Sequence, residues 1–93
     1  MARYILGIDH GTTFTKAMIF DHDAKIVSSA TVKNRLYFPQ PGWVEQDPDE
    51  IFSATLQATE EAFKNSRITP DDIEAIGISN QLLTTIFWNK HTG

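Results

Sequence analysis

The fold is decided by a ten-residue stretch, YILGIDHGTT, which runs from Tyr4 to Thr13. Its first part is an almost unbroken apolar run that ends at the carboxylate of Asp9, a pattern typical of a strand buried on both faces. The polar residues that follow include Gly11, which has the conformational freedom that a tight turn needs. The stretch therefore predicts a strand over 4–9 and a turn directly after it.

Two further segments, 15–20 and 25–33, have the composition of strands and are separated by a polar cluster over 21–24. Three strands joined by short turns form an antiparallel meander. The segments 73–79 and 84–88 are also strand-like, because both are rich in apolar and β-branched residues and are flanked by polar ones. We predict a sheet that begins with the meander and continues with these two strands.

A helix is predicted over 48–65, after an irregular loop that contains Pro39, Pro41 and Gly42. Asp47 suits the N-cap position, and Glu50 follows three residues later, as in a capping box. Apolar residues then recur at helical spacing from Ile51 to Phe63 and predict one buried face. A helix between strands 4–9 and 73–79 returns the chain in the same direction, so these two strands should pair in parallel.

Composition restricts the classes of function. The 93 residues are 41 % apolar and 22 % charged, which is typical of one small globular domain and argues against disorder. The formal net charge is −4, without a basic run, so neither nucleic acid nor an anionic membrane is an expected partner. The chain has no cysteine, which excludes disulfides and fits a cytoplasmic location.

The turn after the first strand is the best candidate for chemistry. A Gly-Thr-Thr turn presents consecutive backbone N–H groups and two hydroxyls, a combination that binds anions. Asp9 can hold Mg²⁺, which keeps several of its waters, and Lys16 can supply a positive charge to phosphate oxygens. An ordinary hairpin turn with an incidental Asp and Lys explains the same residues. The three histidines have no metal-ligand spacing and are interpreted as solvated or turn residues, and Trp43 and Trp88 as packing groups.

Three motifs, in the right order, resemble a known family. Asp9-x-Gly11-Thr12-Thr13 is similar to the first phosphate motif of the actin, Hsp70 and sugar-kinase superfamily. The other two resemble the FGGY carbohydrate kinases, and the glycerol kinases most closely among them. They are the stretch 41–48 (PGWVEQDP) and the stretch 75–81 (AIGISNQ) with the later 84–88 and 92–93.

The resemblance implies an α/β, ribonuclease H-like fold, of which residues 1–93 would be the N-terminal part of the N-terminal domain, truncated. It implies ATP and Mg²⁺ as cofactors. Asp9 would serve the metal, and Gly11, Thr12, Thr13 and Lys16 would bind the nucleotide. His10, Phe14 and Lys16 replace the Gln, the small hydroxyl residue and the Arg of the glycerol kinases. The resemblance places no catalytic residue in this stretch, because the catalytic Asp lies further along in the family.

Leu82 and Leu83 are the candidate substrate-binding residues. The resemblance places at these positions the Arg-Glu pair through which glycerol kinases bind the polyol hydroxyls. Two leucines make no such hydrogen bonds, so we expect a polyol or sugar other than glycerol to be the better substrate. The alternative is that both leucines only pack at a strand end.

The expected activity is therefore ATP-dependent phosphorylation of a sugar or polyol hydroxyl by the parent kinase, which is expected to be a homo-oligomer. The stretch alone is expected to be inactive. One alternative is a non-catalytic nucleotide-binding module of the actin-like superfamily. Another is a structural domain that packs on a partner.

Overall fold

The computed structural model describes residues 3–81 and 84–93. Four strands form one sheet: β1 (Tyr4–His10), β2 (Phe14–Phe20), β3 (Ile26–Lys33) and β4 (Ile73–Asn80), in the spatial order β3-β2-β1-β4. The predicted meander is confirmed, because β1 pairs antiparallel with β2 and β2 pairs antiparallel with β3. The mixed α/β architecture that the sequence predicts is present.

Helix α1 (Pro48–Lys64) connects the meander to β4, through the single 3₁₀ turn Pro70–Asp72. The crossover prediction is confirmed, since β4 lies parallel to β1 with Ile8 opposite Ile78 and Asp9 opposite Ser79. The helix packs on β2 and β3. Its small residues Ala58 and Ala62 are fully buried against the sheet, which allows a close approach of helix and strands. The predicted buried face is wrong at Phe52 and Leu56, which are 63 % and 53 % exposed, because the helix turns its row of alanines toward the sheet instead.

Alternation along the strands divides the sheet into two faces. The prediction that the first strand is buried on both faces is wrong, because α1 covers one face only and Ile5 on the other is 43 % exposed. Leu6 and Ile8 of β1 and their β2 partners Ile19 and Ala17 form the core under α1. Because successive side chains point to opposite faces, Asp9 lies on the face that α1 does not cover. The sheet thus separates Asp9 from the helix.

The helix begins with half of the predicted capping box. Asp47 is the N-cap, and its carboxylate accepts a hydrogen bond of 2.9 Å from the N–H of Asp49. Glu50 does not close the box, because its Oε1 accepts from the Tyr37 hydroxyl at 2.6 Å and its buried Oε2 has no partner within the described residues. The reciprocal pair is instead found at the 3₁₀ turn, between Thr69 and Asp72.

The predicted fifth strand is wrong: 84–88 has no strand structure. A strand needs a hydrogen-bonded neighbouring strand, and the sheet of the described residues consists of β1 to β4 without this segment. Phe87 and Trp88 are 89 % and 73 % exposed, so their apolar surface is not buried either. Trp43 is also exposed, which contradicts the packing role expected for both tryptophans. None of the helices described is both long and apolar enough to cross a bilayer.

Candidate functional site

The turn between β1 and β2 is closed by its own backbone. The N–H of Gly11 donates to the carbonyl of Phe14 at 2.9 Å. A Cβ atom at position 11 would lie 3.0 Å from that carbonyl oxygen, a very tight contact with rigid backbone. The close approach of the two strand ends therefore favours glycine here, because a side chain would need a shift of the backbone. The turn displays Thr12 and Thr13 at the end of the sheet, and both are exposed.

The buried side chain of Asn34 binds the backbone of this turn. Its side chain is 7 % exposed, and its Nδ2 donates to the carbonyls of Gly11 at 2.8 Å and Thr12 at 3.3 Å. Its Oδ1 accepts from the fully buried hydroxyl of Thr15 at 2.7 Å, and its own N–H donates to the Thr13 carbonyl. The buried Asn34 amide thus fixes the backbone carbonyls of the turn. The exposed side of the turn stays accessible to a ligand.

A second set of amides ties the turn to the end of β4. The hydroxyl of Thr12 donates to Gln81 Oε1 at 2.9 Å, and Gln81 Nε2 donates to Gln46 Oε1 at 2.8 Å. Gln46 Nε2 donates to the Thr12 carbonyl at 2.9 Å, which closes a ring of three hydrogen bonds. The ring joins three segments that are far apart in the sequence.

The loop before α1 is folded so that Gln46 reaches the ring. Pro41 and Gly42 form a turn in which Gly42 has φ +82°, and the Trp43 N–H donates to the Gln40 carbonyl. A proline followed by a residue with positive φ is typical of a type II turn. Tyr37 and Glu45 then exchange two backbone hydrogen bonds of 2.8 Å each, so the loop returns beside its own start.

Tyr37 fastens this loop to α1. Its hydroxyl donates to Glu50, and this hydrogen bond, more than burial, raises the pKa of Tyr37 above the usual 10.0. The carboxylate accepts a hydrogen bond only from the neutral phenol, so the contact stabilises the protonated form. The loop, the helix start and the turn are thereby held together.

A cleft of about 770 Å³ opens between these elements. Its walls come from the turn, the loop before α1, the first turn of α1 and the segment after β4, and include Thr12, Tyr37, Gln46, Ile51, Gln81 and Phe87. The charged side chains among its described lining residues are Glu45 and Asp47. The cleft offers amides, hydroxyls and an aromatic ring, which suit a neutral ligand rich in hydroxyl groups.

The structure brings Asp9 and Lys16 together as a directly opposed pair across β1 and β2. Opposed residues of an antiparallel pair share a face, so both lie on the face away from α1 and neither lines the cleft. Within the described ranges, no group of three or more His, Asp or Glu side chains could hold a metal ion. Asp9 is accordingly a single carboxylate at the end of a strand.

The remaining predicted site residues divide into two groups, and one interpretation of a histidine is wrong. Gly11, Thr12 and Thr13 lie in the predicted turn between β1 and β2, and Thr12 also lines the cleft. Leu82 and Leu83 lie outside the described residues. His10 is not a solvated histidine, because its Nε2 lies 2.6 Å from the Thr55 hydroxyl of α1.

Sequence reasoning missed Asn34, Gln46 and Gln81 as functional side chains. Their partners lie 19 to 69 positions away in the chain, so no local spacing reveals them. One signal was present: Thr15 is the polar residue in the alternating row Thr15, Ala17 and Ile19, and a buried hydroxyl requires a partner.

The architecture defines the class of protein. An antiparallel meander with a Gly-Thr-Thr turn, followed by a crossover helix and a parallel strand, is the opening of the ribonuclease H-like ATPase fold of the sugar kinases. A solved gluconate kinase from Lactobacillus acidophilus matches 87 % of this chain with a TM-score of 0.77 and 32 % identity. A Plasmodium falciparum glycerol kinase solved with ADP matches 86 % with a TM-score of 0.72 and 32 % identity. The chain covers 16 % of each of them.

Family membership follows from the sequence match. The model of the FGGY family of carbohydrate kinases, N-terminal domain, matches residues 4–93, and the chain belongs to that family. It is 44 % identical to the glycerol kinase of Caldanaerobacter subterraneus subsp. tengcongensis over its whole length. It is 50 % identical to that of Borreliella burgdorferi over 98 % of its length. The chain spans only 19 % and 18 % of these two relatives.

Proposed function

We propose that this chain is the N-terminal part of an ATP-dependent kinase that phosphorylates a hydroxyl of a polyol or sugar. In this proposal the turn 11–13 binds nucleotide phosphates, and the cleft beside it binds the hydroxylated substrate. The observation that carries the proposal is the position of Thr12, which belongs to the phosphate turn and also lines the cleft. Phosphoryl transfer requires this proximity of the two ligands.

The chain's own groups suit nucleotide binding. The exposed hydroxyls of Thr12 and Thr13 and the backbone N–H groups of these two residues can donate to phosphate oxygens, which only accept. Lys16 adds one positive charge, as a point charge and without the planar fork of an arginine.

The position of Asp9 fits Mg²⁺. This ion is commonly held by one or two carboxylates, with waters and substrate phosphates completing its shell, so a single exposed strand-end carboxylate suffices. Bound there, the ion would neutralise charge on the phosphates that are transferred. Asp9 itself would orient and hold the ion through one oxygen or through water.

The cleft supports a neutral substrate. Its described lining carries two carboxylates, Glu45 and Asp47, and no lysine or arginine. A sugar acid would meet like charge there, whereas a neutral polyol or ketose would find amide and hydroxyl partners. The cytoplasmic location and the homo-oligomeric state remain predictions from the sequence.

The test is turnover by the full-length protein. We expect ATP- and Mg²⁺-dependent phosphorylation of at least one member of a panel of glycerol, xylulose, ribulose and gluconate, measured by coupled ADP release. Gluconate should be the poorest of the four. Absence of turnover with these and related neutral polyols would favour the non-catalytic nucleotide-binding module.

A further inference from the structure

One backbone carbonyl determines which group donates and which accepts in each hydrogen bond of the ring formed by Thr12, Gln46 and Gln81. The Thr12 carbonyl only accepts, so Gln46 must present its Nε2 to it, at 2.9 Å. The Oε1 of Gln46 then faces Gln81, so Gln81 must donate to it from Nε2, at 2.8 Å. Gln81 is left with Oε1 facing the Thr12 hydroxyl at 2.9 Å, and the hydroxyl must donate.

The consequence concerns a single proton. A threonine hydroxyl carries one hydrogen, and in the closed ring that hydrogen is committed to Gln81. Phosphate oxygens are acceptors, so the Thr12 hydroxyl can donate to a phosphate only after it leaves Gln81. Gln81 Oε1 then loses its protein donor at the wall of the cleft and can accept a hydrogen bond from another donor there.

We propose that Gln81 is a positioning residue that couples nucleotide binding at the turn to substrate binding in the cleft. The inference rests on the proposed function. When the Thr12 hydroxyl donates its hydrogen bond to a phosphate, Gln81 Oε1 becomes free to accept a hydrogen bond from a hydroxyl of the polyol or sugar. When the substrate hydroxyl occupies Gln81 first, Thr12 is released to donate to the phosphate.

Gln46 fixes the orientation of the Gln81 amide. Without its amide, nothing ties the orientation of Gln81 to the Thr12 carbonyl, and Gln81 can turn its Nε2 toward the Thr12 hydroxyl. The hydroxyl proton is then available to a phosphate whether or not substrate is bound. Coupling therefore requires both glutamines, although only Gln81 would contact the substrate.

The size of the coupling is set by one hydrogen bond. A neutral hydrogen bond contributes a factor of about two to ten to an equilibrium constant. Coupling between two ligands is reciprocal, so each should tighten the binding of the other by the same factor.

The experiment is calorimetric and uses the full-length protein. The Kd of the substrate that turns over best among glycerol, xylulose, ribulose and gluconate is measured with and without saturating Mg²⁺ and the β,γ-imido analogue of ATP. We expect wild-type protein to bind this substrate about two- to tenfold more tightly with the analogue. In Gln81→Leu, Gln46→Leu and Thr12→Val the ratio should fall to about one, whereas Thr12→Ser should retain it.

Gln57→Leu is the matched control. Gln57 is an exposed glutamine of α1 whose amide donates to Glu61 at 3.3 Å, away from the ring, so its loss should leave the ratio at the wild-type value. A wild-type ratio of one, or an unchanged ratio in Thr12→Val, would overturn the coupling. Thr12 is exposed, so the Thr12→Val and Thr12→Ser pair decides the question even where a glutamine variant fails to fold. Turnover without coupling rejects only this inference, whereas absence of turnover rejects the proposed function.

Discussion

Asp9 stands at the end of β1 between Lys16 of β2 and Ser79 of β4, on the face of the sheet opposite to α1. If the full-length protein has the proposed activity, Asp9→Ala should lower kcat by about a hundredfold with little change in the KM of the sugar or polyol. The reason is that charge held near the transferred phosphate acts most strongly in the transition state. Thr12→Ala should be milder, because the backbone donors of the turn remain. Steady-state kinetics with varied ATP and substrate measure both effects.

Asp71→Ala removes a similarly exposed carboxylate at the 3₁₀ turn and serves as the control. An equal loss of kcat in both variants, or a loss confined to the KM of the substrate, would contradict the role of Asp9.

Asn34→Leu should affect both stability and nucleotide binding. It leaves the fully buried Thr15 hydroxyl without its acceptor, at a cost of about 1–3 kcal/mol in the free energy of unfolding. It also releases the carbonyls of the turn, so the KM for ATP should rise. The double variant Thr15→Val with Asn34→Leu should recover part of the stability, because both buried polar groups are removed, while the KM for ATP stays raised. Thermal melts and kinetics separate the two effects, and recovery of both would mean that Asn34 serves packing alone.

Leu82 and Leu83 lie outside the described residues, and their role stays a prediction. Apolar side chains give no hydrogen-bond discrimination between hydroxylated ligands, so glycerol should not be the best substrate. The panel of substrates measures this, and the double variant Leu82→Arg with Leu83→Glu should raise kcat/KM for glycerol relative to the wild type. A tenfold or larger preference of the wild type for glycerol would show that the leucines only pack.

Among the strands and helices, the sequence pattern predicted the elements whose signals lie within a few neighbouring residues. The meander, α1 and the parallel pairing of β4 were predictable because strand alternation, turn residues and the Asp47 cap are each encoded within a few positions. The segment 84–88 has the composition of a strand but is not part of the sheet of the described residues, and composition carries no information about which segments pair. The ring formed by Thr12, Gln46 and Gln81 could not be predicted either, since it joins a turn, a loop and a strand end.

The hydrogen bond from Tyr37 to Glu50 joins the loop before α1 to the helix, and its contribution to stability should depend on pH. The Tyr37 pKa is raised in the folded state, so this contact stabilises the fold fully below pH 10.0 and loses its effect as pH rises through the higher folded value. Tyr37→Phe should therefore unfold at lower denaturant concentration than the wild type at pH 8, and the difference should shrink above pH 10. Tyr4→Phe, which removes a phenol hydroxyl from β1, is the control. A difference that does not depend on pH would exclude the hydrogen bond to Glu50 as its cause.

At the scale of the whole molecule, the helix covers the meander but not β4. Ile76 and Ile78 point to the same face as Leu6 and Ile8, their partners in register, yet they are 60 % and 69 % exposed. The chain spans less than a fifth of its curated relatives. The proposed nucleotide site is correspondingly partial here, with one turn, one lysine and one carboxylate.

The isolated 93-residue chain should therefore bind ATP with a Kd no better than about 1 mM, a free energy near −4 kcal/mol. The described residues offer the nucleotide the turn 11–13, Lys16 and Asp9, and the cost of immobilising the nucleotide opposes these contacts. Isothermal titration with Mg²⁺ and ATP measures the affinity, and light scattering must accompany it, because the uncovered face of β4 favours self-association. The full-length protein provides the comparison and should bind ATP much more tightly. Micromolar binding by the isolated chain would mean that the turn 11–13 and its neighbours already form a nearly complete nucleotide site.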